Sequence, residues 1–165
     1  MAVADRIVVM NHGVIEQVGT PQDIYRVPAT AFVAEFVGHM NFLPARIGDQ
    51  GHVRIGAIEL QADLAGTSAA SGSEVMVCLR PEDVQVRGLQ PRQSNVLNAE
   101  IANLEFLGSF CRAELRLRTA NDLELAADFS INAMRDLNLA VGMSIPVALP
   151  PDRLRVFDSG TQAHG

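Results

Sequence analysis

The sequence contains no lysine, no tryptophan, a single tyrosine and only two cysteines. Without lysine it cannot form a G-x-x-x-x-G-K-S/T phosphate loop, in which that lysine reaches the terminal phosphates. Single-stranded nucleic acid is bound on aromatic platforms lining a basic groove. Here thirteen arginines face nineteen acidic residues, for a formal charge of −6, and Tyr25 falls in a helix ahead of the β-rich part. Nucleic acid is therefore excluded as a partner, and Arg116-Leu117-Arg118 reads as one solvated face of a strand. No stretch approaches the eighteen apolar residues of a membrane span, and the start lacks a signal-peptide pattern. Cys78 (in Val-Met-Val-Cys-Leu) and Cys111 (in Phe-Cys-Arg-Ala-Glu-Leu) lie in strand-like runs with no other Cys or His clustered nearby. They are expected to be buried, reduced thiols, not a disulfide or a metal pair.

What is present is organised in three pieces. Of the 165 residues, 48% are apolar, enough for a proper core. Residues 7–10 and 14–18 read as two short strands joined by a turn at Asn11-His12-Gly13. Thr20 fits an N-cap, Pro21 a first helical position and Asp23 the capping-box spacing. A second helix is expected over 30–37, with Phe32, Val33, Phe36 and Val37 on one apolar stripe and Gly38 as its stop. A two-stranded hairpin is marginal alone. The opening is therefore expected to be the edge of a sheet whose other strands lie outside this chain.

The second piece, about 40–90, predicts strands at 42–47, 52–55, 58–61, 74–79 and, after Arg80-Pro81-Glu82-Asp83, at 84–87. Residues 65–73 form a small-residue loop expected to be mobile. Residues 90–95 form an exposed linker. The third piece predicts strands at 96–106, 110–117, 123–129, 145–149 and 154–157. Ala113, Leu115 and Leu117 alternate there with Glu114, Arg116 and Arg118, the period of a half-buried strand. The fold class is mostly β, with the second and third pieces combining into one small barrel.

Two polar knots are candidate sites. Proline withholds a ladder donor and disfavours helix at Arg80, so a strand ends there with Arg80 and Glu82 at its tip. Three readings fit: a turn with a solvent-screened ion pair, a dimer or regulatory interface, or a small-anion site for Arg80. In Glu105-Phe106-Leu107-Gly108-Ser109-Phe110, Gly108 allows positive φ between two strands and Ser109 could donate a hydrogen bond. A plain hairpin turn is the competing reading. No catalytic constellation is visible: Cys111 has no placeable base, and Asp122, Glu124 and Asp128 read as solvent-facing.

The string DRIVVMNHGVIEQVGTPQDIYRVPATAFVAEFVG closely resembles the end of the nucleotide-binding domain in ATP-binding cassette (ABC) importer ATPases. The likeness is to the maltose, glycerol-phosphate, spermidine/putrescine and ferric-iron subfamily. It continues through Met40-Asn41-Phe42-Leu43-Pro44, Leu79-Arg80-Pro81-Glu82-Asp83, Leu104-Glu105-Phe106-Leu107-Gly108 and Leu149-Pro150-Pro151-Asp152-Arg153. These four points resemble landmarks of the family's transport-associated OB (TOBE) regulatory domain. The first and last look most like the maltose and glycerol-phosphate branch.

The resemblance implies residues 1–39 as the remnant of an ATPase domain, with Met1 internal to the family's preceding helix and not a native start, 40–158 as an OB-like regulatory domain and 159–165 as a disordered tail. It implies a homodimer through the TOBE domain, and permease subunits contacted through the ATPase domain. A regulatory protein is a further partner, and the setting is the cytoplasmic face of a bacterial membrane. The chain lacks the phosphate loop, an LSGGQ-like signature and an apolar strand ending in Asp-Glu. ATP and Mg2+ are thus cofactors of the full-length parent, with none expected in this chain. In molybdate-binding TOBE domains, loops like 105–110 help form oxyanion sites between subunits. An autonomous small-oxyanion sensor is the alternative reading.

Overall fold

The computed structural model describes residues 4–118 and 122–159. In chain order it contains β1 (Ile7–Asn11), β2 (Val14–Gly19), α1 (Pro21–Arg26), α2 (Ala31–Phe36), β3 (Asn41–Ile47), β4 (His52–Ile55), β5 (Ile58–Gln61) and β6 (Glu74–Leu79). A 3-10 turn at Pro81–Asp83 follows, then β7 (Val96–Phe106), β8 (Phe110–Leu117), β9 (Leu123–Ser130), α3 (Ile131–Asp136), β10 (Ser144–Ala148), a second 3-10 turn at Pro151–Arg153, and β11 (Arg155–Asp158). The expected tail and the expectation about Met1 fall on residues outside those described, apart from Ser159.

Alternation builds the sheets. β8 buries Cys111, Ala113, Leu115 and Leu117 and turns Glu114 to solvent, so one face of its sheet is apolar. β10, β7, β8 and β9 form one antiparallel sheet in that order, and β11, β6, β3, β4 and β5 form a second. Their inner faces share one core, in which Leu43, Val77 and Leu79 of one sheet meet Ile101, Leu115 and Phe129 of the other. The mostly-β, barrel-like reading therefore holds, and the second and third pieces are one unit.

Two asparagine amides stitch the sheets at their seams. Asn41 on β3 donates through Nδ2 to the Ala126 carbonyl of β9 at 2.8 Å and accepts from the Ala126 N–H at 2.7 Å. Asn95 likewise accepts from Gln61 N–H and donates to the carbonyls of Gln61 and Leu149, each at 2.8 Å. An amide side chain carries the same donor and acceptor as a peptide unit, so each stands in for a missing strand residue.

The hairpin β1–β2 and helices α1 and α2 form a smaller unit in front of the barrel. The Thr20 hydroxyl accepts from Asp23 N–H with Pro21 at the helix start, as the capping pattern predicts. Val9 of β1, Ile24 of α1 and Val33 of α2 make its small core. Of the expected apolar stripe, Val33 is buried and Phe36 stays 67% exposed.

One expectation needs correction. Residues 84–87 form no strand: only Gln85 bridges Ala148, because the preceding 3-10 turn redirects the chain. In loop 65–73 the Thr67 hydroxyl is bonded to Asp158 and Gly72 N–H donates to the Ile47 carbonyl at 2.7 Å. The segment 90–95 is largely exposed, as read, and ends in Asn95. The sequence reading also omitted α3, whose cap is Ser130 accepting from Ala133 N–H. Six residues without an acidic third position give a weak helix signal.

Phe129, 2% exposed, lies in the shared core, whereas Phe106 at the β7–β8 tip is 68% exposed. Phe129→Ala should cost about 3–5 kcal/mol in urea unfolding. Phe106→Ala should change stability by less than about 0.5 kcal/mol.

Candidate functional site: the junction around Arg80

Arg80 closes β6 and is only 6% exposed. A buried guanidinium is tolerated only with its donors satisfied, and its partners come from the segment before the barrel. Nη2 donates to the Tyr25 carbonyl at 3.0 Å and Nη1 to the His39 carbonyl at 3.5 Å. The guanidinium also lies over the Tyr25 ring, 3.8 Å from its centroid, a stacking geometry that favours arginine. Gly38 makes room: a Cβ there would stand 3.2 Å from Nη1 and 3.7 Å from the Tyr25 ring.

The solvent-screened Arg80–Glu82 ion pair is therefore a misreading. Arg80 is clamped inward, while Glu82 accepts from the Tyr25 hydroxyl. Proline at 81 causes the split, because it starts the 3-10 turn that sends successive side chains in different directions.

Three clefts meet at Glu82. One of about 530 Å³ is lined by Tyr25, His39, Glu82, Ser109, Arg112, Asp128 and Ser130. A smaller one of about 210 Å³ runs between α1 and the barrel, with Arg26, Arg80, Arg153 and Arg155 along it. A third, about 490 Å³, extends past Asp83, Arg87 and Asp152. The structure thus brings Glu82 and Ser109 to one cleft and Arg80 to its neighbour. Gly108 has φ of 88° with no heavy atom close to where a Cβ would sit, the geometry of a hairpin turn.

Asp128, expected to face solvent, is a further correction. It takes a bidentate pair from Arg112, Nε–Oδ1 at 2.8 Å and Nη2–Oδ2 at 3.0 Å, across the β8–β9 ladder. Opposed residues on neighbouring strands are a spacing the sequence does contain. Tyr25, 55 residues from Arg80, offered no such signal.

The electrostatics follow from burial. Desolvation, then the hydrogen bond and charge of Glu82, push the Tyr25 hydroxyl up to about 12, against a smaller lowering by Arg80. Burial, with Glu35 nearby, pushes the Cys78 thiol up to about 12, and burial raises Cys111 as well. Both cysteines are buried free thiols, as expected. Among the described residues no group of three or more His, Cys, Asp or Glu side chains is placed to hold a metal ion, and no described helix is long and apolar enough to cross a membrane.

Residues 77–157 match the family model described as TOBE domain. The chain is 40% identical over 167 residues to the Fe(3+) ions import ATP-binding protein FbpC 2 of Rhizobium meliloti, covering 95% of this chain and 42% of that protein. It is 39% identical over 159 residues to the sulfate/thiosulfate import ATP-binding protein CysA 2 of Chromobacterium violaceum, with the same two coverages. The chain thus spans 42% of the length of these curated relatives. They are named for ferric ions and sulfate, whereas residues 40–44 and 149–153 had looked most like the maltose and glycerol-phosphate branch. In fold it is similar to the cytoplasmic molybdate-binding protein ModG, with a TM-score of 0.57 and 18% identity over 72% of this chain and 95% of that one.

Tyr25 is the only tyrosine, so phenolate absorbance reports it alone. The expected titration midpoint is about 12, against the usual value of about 10. With the folded-state value raised, the stability this group contributes is complete below pH 10 and is lost as pH rises toward 12. A midpoint near 10 contradicts the Tyr25–Glu82 contact. Ellman's reagent at neutral pH should label neither cysteine in the native chain and both in denaturant.

Proposed function

The chain matches the C-terminal portion of ABC importer ATP-binding subunits and carries their TOBE domain, and on that premise we propose that it is the regulatory and dimerisation region of such a subunit. Residues 1–39 are assigned to the end of an ATPase domain and 40–158 to the regulatory domain. ATP and Mg2+ would be bound by the preceding domain, which would also contact the permease subunits at the cytoplasmic face of the membrane. The barrel's task is then to hold two ATPase subunits together, or to receive a regulatory protein, while the nucleotide domains open and close.

The observation that carries this reading is the outer face of the β1–β2 hairpin. Val8, Met10, Ile15 and Val18 are all exposed on one side of a two-stranded sheet. Buried apolar surface is worth roughly 25 cal/mol per Å², so a face carrying Val8, Met10, Ile15 and Val18, which pair as Val8–Val18 and Met10–Ile15, is strongly favoured to be covered. An ATPase domain ending in this hairpin would cover it. An autonomous sensor has no use for such a face, and the likeness to ModG bears on fold alone.

Joining the ATP-binding portion of the Rhizobium meliloti relative ahead of residue 4 tests the proposal. The chimera should hydrolyse ATP and sediment as a dimer, and Val8→Asp with Ile15→Asp should abolish ATP hydrolysis by unseating the hairpin. Full hydrolysis in the doubly substituted chimera, or a monomeric chimera, would count against the proposal.

A further inference from the structure

The chain is acidic overall, yet four of its thirteen arginines line one recess of about 210 Å³ between α1 and the barrel. They come from separate parts of the sequence: Arg26 at the end of α1, Arg80 at the end of β6, Arg153 in the second 3-10 turn and Arg155 on β11. Random placement does not gather a third of a chain's cations against its net charge. Self-repulsion among like charges costs stability, so such clusters persist where something else is gained.

Among the described residues their donors are only partly used. Arg80 is spent on the Tyr25 and His39 carbonyls. Arg155 gives one bond, from Nη2 to the Arg26 carbonyl at 3.3 Å. Arg153 stands 3.8 Å from Asp152, beyond good hydrogen-bond range. Each guanidinium carries five donors, so Arg26, Arg153 and Arg155 retain most of theirs. The recess also includes Met40 and the buried Cys78, whose low polarity strengthens charge interactions nearby. Glu82 and Asp83 stand at the same recess. They offset part of the charge and would repel an extended polyanion more than a compact one.

We infer that this recess binds a small tetrahedral dianion, free sulfate or phosphate, held by Arg26, Arg153 and Arg155 above the Arg80 clamp. Arginine's planar fork suits such oxygens. The site stands apart from the ATPase-subunit reading, since it needs only the residues described. Its walls belong to both α1 and the barrel, so an occupied recess ties the two together.

Tyr25 lines the recess and is the sole tyrosine in a chain without tryptophan. Its emission is therefore a reporter placed at the site. Sodium sulfate and sodium phosphate are titrated separately into the 165-residue chain at constant ionic strength, with chloride as the balancing ion, and heats of binding are recorded in parallel. The expected result is a saturable change in emission or heat with one or both dianions. Saturation by one and not the other supports the site and identifies its occupant. Arg26→Gln with Arg153→Gln should weaken binding about tenfold or more, the loss of at least one charge-assisted hydrogen bond. Arg116→Gln, on the outer face of β8, should leave it unchanged. Should the double variant not fold, Arg26→Gln alone is used, with the same direction expected. Sulfate also stabilises proteins by exclusion from their surface. A response that is linear in concentration, equal in the recess variant, or absent in both readouts overturns the inference.

Discussion

A guanidinium buried to 6% exposure has to find its partners or the structure around it cannot form. Arg80 finds them entirely in the segment that precedes the barrel: two backbone carbonyls, at Tyr25 and His39, and the face of the Tyr25 ring. The end of β6 is thus completed by α1 and by the turn after α2. Removing that segment would leave a buried charge without acceptor partners, a penalty of several kcal/mol in an ordinary interior. The hairpin unit is in this sense a part of the barrel's polar interior, although its own apolar core is separate.

The same logic of substitution closes the barrel. Neither sheet pairs edge to edge along its whole length with the other. At two seams an asparagine amide supplies the peptide-like donor and acceptor that a strand would give. Backbone groups that would otherwise be orphaned are satisfied, and the interior between the sheets is left wholly apolar. Glu82 sits where these arrangements converge. Its turn leads out of β6, its carboxylate holds Tyr25, and all three clefts open beside it. A molecule lodged there would touch both the barrel and the elements that precede it.

Much of the fold was legible because it rests on local rules. The Thr20-Pro21-Asp23 cap and the Ala113-Leu115-Leu117 alternation each encode their element within a few residues. So does the φ-positive turn at Gly108. What was not legible is non-local or depends on one side chain replacing backbone. Asn41 and Asn95 look like ordinary loop-edge residues until their partners, 85 and 34 positions away, are known. At the candidate site the sequence singled out Arg80, Glu82, Gly108 and Ser109. One of its three readings paired the first two with each other, because adjacency in sequence suggests a local ion pair. Burial decided otherwise, sending Arg80 to Tyr25 and leaving Glu82 to the phenol. Arg153 was noticed only as the end of the Leu149–Arg153 landmark and Arg155 not at all, since arginines on separate short elements carry no spacing signal.

Hydrogen exchange on the native chain and on an Arg80→Ala variant tests the clamp most directly. If Arg80 joins the two units, amides of Ile24, Val27 and Val37 lose protection in the variant while those of β8 keep it. Unchanged protection in α1 and α2, or an equal loss throughout the barrel, would contradict a clamp whose role is to hold the preceding segment in place.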